Sequence, residues 1–117
     1  MGCHKQSDEA TAYKVNISFL QPSSGQIVTV NSPFTVSIKI TSENNAVIHH
    51  LQVDLTTEAG TFVKNVLPQT HLHTEGVATS IIQTTAPSIA GRYKIIAIST
   101  DDDEKQPNSN EVIFTVQ

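Results

Sequence analysis

Four of the five histidines fall in two tight groups, His49-His50 and His71-Leu72-His73, and imidazole is the side chain best suited to holding a divalent transition metal. On an extended strand, residues i and i+2 share a face, so His71 and His73 can chelate together if that segment is a strand, with further ligands drawn from His49 and His50. A second cluster, Asp101-Asp102-Asp103-Glu104, offers hard oxygen ligands of the kind calcium takes, Asp101 and Asp103 foremost. Asn108, Asn110 and Glu111 lie on the far limb of the same loop, although the spacing fits no EF-hand. Catalysis has no comparable footing. Serine, histidine and aspartate all occur, yet no nucleophile elbow, phosphate-cradling glycine loop or metalloprotease pair arranges them for chemistry, so an enzyme is not expected.

These residues must be carried by strands. The chain has 117 residues, the size of one domain, and its apolar residues are dominated by valine and isoleucine among many threonines and serines. Period-two alternation is plain in Val15, Ile17 and Phe19, in Phe34, Val36, Ile38 and Ile40, in Tyr93, Ile95 and Ala97, and in Val112, Phe114 and Val116. Val47 to Leu55 reads as a strand with His49, Leu51, Val53 and Leu55 facing inward and His50, Gln52 and Asp54 outward. A weaker strand follows through Phe62 and Val66, limited by Leu67-Pro68, and His71 to Thr84 reads as one more strand, with either Ile81 or Ile82 facing the core. Residues 1–12 are polar and aperiodic and read as a flexible tether to a domain spanning 13–117. About seven short antiparallel strands without a helical window predict an all-β sandwich of two sheets.

Charge and length exclude other classes. The net charge is −4, and the seven basic residues are scattered, which argues against a nucleic-acid partner. No stretch approaches the roughly 20 consecutive apolar residues of a membrane-spanning helix. The single cysteine excludes an intrachain disulfide.

Val15-Asn16-Ile17 to Pro22-Ser23-Ser24-Gly25, with Ser32-Pro33-Phe34-Thr35-Val36, resembles the opening of bacterial immunoglobulin-like domains, and Gly91-Arg92-Tyr93-Lys94-Ile95 with Val112-Ile113-Phe114-Thr115-Val116 resembles their closing strands. Tyr93 stands where the tyrosine corner of that fold lies, with Ile95 at the place of its second sheet-bridging cysteine. The chain has no tryptophan, and no cysteine within the domain, so the antibody branch is excluded. Similar domains occur in lipoproteins and surface proteins of Bacteroidota. The resemblance implies a non-catalytic binding or spacer module of the cell envelope, periplasmic or surface-exposed, contacting a protein or glycan; the alternative is a metal-binding protein using the histidines or the acidic loop.

Gly2-Cys3 followed by polar residues looks like the remnant of a bacterial lipobox, which would make Cys3 a lipid anchor and the membrane a partner. Myristoylation at Gly2 is a poorer match, because Gln6 occupies the place where serine or threonine is wanted. Finally, Ile48, Ile96, Ile98 and Ile113 fall opposite the residues assigned to the core, so a contiguous apolar strip is expected on the outer face of one sheet, where it would invite a partner.

Overall fold

The computed structural model describes residues 13–117; residues 1–12, for which a tether is expected, and with them Cys3, lie outside the described residues. Eight strands follow one another: β1 (Val15–Gln21), β2 (Ile27–Val28), β3 (Pro33–Ser42), β4 (Val47–Thr57), β5 (Phe62–Glu75), β6 (Val77–Thr85), β7 (Gly91–Thr100) and β8 (Asn108–Val116). They form a three-stranded sheet, β1-β3-β6, packed on a five-stranded sheet, β2-β8-β7-β4-β5. The fold is an immunoglobulin-like sandwich, with eight strands where the sequence predicts about seven. All pairings are antiparallel except that of the two-residue β2, which runs parallel to β8. Gly25, at φ 78°, lets the chain swing from one sheet to the other between β1 and β2, and its N–H bonds to the Ile113 carbonyl at 2.8 Å.

Alternation fills the interior as the sequence demands. Val36, Ile38 and Ile40 of β3 meet Ile95 and Ala97 of β7 and Phe114 and Val116 of β8 in one buried cluster. Three aromatic rings join the layers: Phe114 lies 5.4 Å from Phe34 and 6.2 Å from Tyr93, centroid to centroid. Tyr93 donates its hydroxyl to the Ile89 carbonyl at 2.6 Å, which is the tyrosine corner anticipated from the resemblance.

Three expectations are corrected in the region of β4 to β6. The stretch from His71 to Thr84 is not one strand: Gly76, at φ 80°, turns the chain, so that His71 and His73 belong to the end of β5 and the isoleucines to β6. Ile82 packs on the core there and Ile81 is exposed. Pro68 does not end its strand either. β5 is the outermost strand of its sheet and runs on through Pro68, because one of its edges needs no partner for the missing N–H.

The third correction concerns Ile48. It is fully buried and belongs to the core, not to an outer strip. Ile48 and Leu51 both face inward although three residues apart, so β4 loses one step of alternation between them and leaves His49 and His50 both half-buried outside the core. The cause lies across the ladder. Ile48 pairs with Thr74 but His50 with His71, so β5 spends one residue more than β4 over that interval, a bulge in which His73 adopts φ 50°. Ile96, Ile98 and Ile113 do alternate with the core residues of β7 and β8, and are half-buried.

Candidate metal centre

The bulge gathers the imidazoles. Ring centroids of His49 lie 5.6 Å from His71 and 5.3 Å from His73, and those of His71 and His73 are 5.6 Å apart. One nitrogen from each of His49, His71 and His73 falls within 4.8 Å of the others. Two nitrogens bound to one tetrahedral ion at about 2.0–2.1 Å stand roughly 3.3–3.5 Å apart, so closing the site asks for side-chain adjustments of about 1 Å. His71 and His73 are exposed, and His49 keeps 20% of its side chain accessible. Its Nδ1 nevertheless is buried and makes no hydrogen bond. Such a buried nitrogen without a hydrogen bond is uncommon.

His50 stands one step aside. Its ring is 5.2 Å from that of His71, but its Nδ1 lies 3.3 Å from the Thr100 hydroxyl, and it is not part of the three-nitrogen group. With Gln52, Gln69, Ile98, Thr100 and Glu104 it lines a shallow groove beside the cluster.

The acidic loop arrives at this same end of the sandwich. β7 ends at Thr100 opposite His50, and the next residues fold over the start of β4. Desolvation pushes the Asp101 carboxyl up, but the N–H groups of Lys105 and Gln106, donating at 2.8 and 3.1 Å, more than offset it and hold the group below the usual carboxylate range. Asp101 therefore builds the loop, which leaves its oxygens less free for calcium. Asp102, not Asp103, reaches the histidines: its Oδ1 lies 3.7 Å from the orphan Nδ1 of His49. Two clusters that look independent in sequence are thus neighbours, and Asp102 is the residue that reading the sequence failed to single out.

A buried relay fixes the backbone under the cluster. Ser99, with no accessible surface, donates its hydroxyl to the His50 carbonyl at 2.6 Å, so the Tyr13 hydroxyl, 2.6 Å away, must donate to Ser99. Burial pushes the pKa of Tyr13 up. Gln106 and Asn108 bond the Tyr13 backbone at 2.9 and 3.2 Å, tying the acidic loop to the same point.

No protein-family model matches the sequence, and no curated protein resembles it. Solved structures share the fold. The CARDB domain of a Pyrococcus furiosus protein, solved in complex with di-metal ions, is 15% identical with a TM-score of 0.58, over 91% of this chain and 90% of that one. Fibronectin(III)-like modules of Clostridium thermocellum CbhA are 14% identical with a TM-score of 0.57, over 87% of this chain and 96% of theirs. A family 123 glycoside hydrolase from Clostridium perfringens matches over 92% of this chain with a TM-score of 0.60 and 11% identity, and there the match spans 27% of the larger enzyme. At these identities the likeness shows the fold alone: an immunoglobulin-like β-sandwich, similar to CARDB and fibronectin III-like domains.

Proposed function

We propose that this domain is a non-catalytic module that binds one divalent transition-metal ion through His49, His71 and His73. The observation that carries the reading is the convergence of three imidazole nitrogens within 4.8 Å at a bulge, with two of the three rings exposed to an incoming ion. Borderline-soft nitrogen donors suit zinc, copper or nickel and not calcium, which takes oxygen. A sandwich of this shape is compatible with metal, as the di-metal complex of the Pyrococcus furiosus domain illustrates for that protein, but the reading rests on this chain's own ligands.

Calorimetric titration with zinc should give one ion per chain, and calcium should give no heat at this site. The double variant His71→Ala/His73→Ala should lose the zinc heat while melting normally without metal, because both side chains are exposed. A wild-type chain indifferent to zinc, or a double variant that binds it equally, defeats the proposal.

The envelope placement is proposed on Gly2-Cys3 alone. Expressed behind a bacterial lipoprotein leader, the chain should incorporate labelled fatty acid and Cys3→Ala should not; equal labelling of the two rejects the anchor.

A further inference from the structure

The loop between β7 and β8 adds a residue to the site that the histidines alone do not reveal. His49 Nδ1 is buried without a hydrogen bond, and the Oδ1 of Asp102 is the acceptor poised beside it at 3.7 Å. That distance exceeds a charge-assisted hydrogen bond, about 2.7–2.9 Å, by about 0.8–1.0 Å. Asp102 also lies outside the group whose ligand atoms gather within 4.8 Å, so it stands beside His49 and not among the nitrogens that would surround an ion. An imidazole that coordinates through one nitrogen commonly donates its other N–H to a carboxylate, which fixes the tautomer and makes the ring a better donor.

We infer that Asp102 is the positioning residue of the metal centre, accepting the Nδ1–H of His49 and turning Nε2 toward His71 and His73. The inference rests on the metal reading of these histidines. Its geometry is prepared by the rest of the loop. Asp101 accepts the N–H groups of Lys105 and Gln106, and the N–H of Glu104 closes the turn onto the Asp101 carbonyl at 3.0 Å, so Asp102 is offered from a formed turn. Closing the last fraction of an ångström on metal binding would draw the β7–β8 loop onto the start of β4. The same loop holds the Tyr13 backbone through Gln106, so the ion would also tighten the point where residues 1–12 join the domain.

The test compares Asp102→Asn, Asp102→Glu and Asp103→Asn in the full chain, by zinc titration and by the visible spectrum of the cobalt(II) form. Asp102 is 68% exposed, so its variants should melt like wild type without metal. Asp102→Asn should weaken zinc binding by about 10–100-fold, the usual effect of removing a carboxylate behind a ligating histidine. Asp102→Glu should recover part of the loss, and Asp103→Asn, which removes the same charge from the same loop, should stay near wild type. Cobalt bands at saturation should keep their position and intensity in Asp102→Asn, because no ligand has left. Wild-type binding with Asp102→Asn unchanged overturns this inference alone. Equal losses in Asp102→Asn and Asp103→Asn reduce it to bulk charge and overturn it, and an altered cobalt spectrum overturns it by making Asp102 a ligand. A wild-type chain that takes no zinc removes both this inference and the reading beneath it.

Discussion

Ile48→Lys is expected to unfold the domain, while Ile96→Lys leaves its stability within about 0.5 kcal/mol of wild type, as surface changes usually do. Plain alternation from Leu51 would put Ile48 and Ile96 on the same outer face, so the pair isolates what the β4–β5 bulge does. Ile48 has no accessible surface and lies in the core, where an ammonium would meet no partner. Burying an unpaired charge belongs to the short list of changes that cost more than about 4 kcal/mol, close to the whole stability of a small domain. Ile96 is half-buried on the outer face, directly opposite Asp54 of β4 on one side and Glu111 of β8 on the other. A lysine there gains two carboxylates and keeps its stem against the sheet. Denaturant unfolding of the two variants checks the contrast. An Ile48→Lys protein as stable as wild type would mean that β4 keeps strict alternation, and the histidine cluster would go with it.

Phe114→Ala should lower stability by about 3–5 kcal/mol, the range for truncating a buried phenylalanine. Phe114 has no accessible surface and joins the two sheets through Phe34 and Tyr93. With one cysteine in the chain, no internal disulfide can offset the loss. In a domain of this size such a loss lowers the melting temperature by on the order of 15–30 °C. Phe114→Leu should retain more than half of the lost stability, because it keeps most of the volume. Circular dichroism melts would decide it, and a drop of only a few degrees in the alanine variant would contradict the described interior.

The parts of the fold that were legible in sequence are those in which each strand obeys its own period. Phe34, Val36, Ile38 and Ile40 announce their burial without reference to any neighbour, and so do Tyr93, Ile95 and Ala97. The bulge is different in kind, because it is a mismatch between two strands: nothing in Val47 to Leu55 alone says that β5 will use an extra residue against it. His49 therefore reads as a core position and Ile48 as an outer one, the reverse of what the ladder imposes. Gly76 was a readable signal, a lone glycine within an apparent strand, and it marks the turn that divides β5 from β6. The histidines could be suspected from type and spacing. Asp102 could not be chosen from a run of four acids, since only the folding of the β7–β8 loop over β4 selects it.

A strand of 14 residues at the rim of a sheet would ordinarily be a template on which another molecule's backbone could zip. β5 is spoiled for that purpose. Four register slips against β4, a proline that offers no donor and the left-handed kink at His73 break up its free row of peptide groups. Fibrillar growth needs a flat, regular edge, and the deformation that brings the imidazoles together removes one. A variant engineered to straighten this strand would disperse the nitrogens and, in the same stroke, expose the molecule to self-stacking.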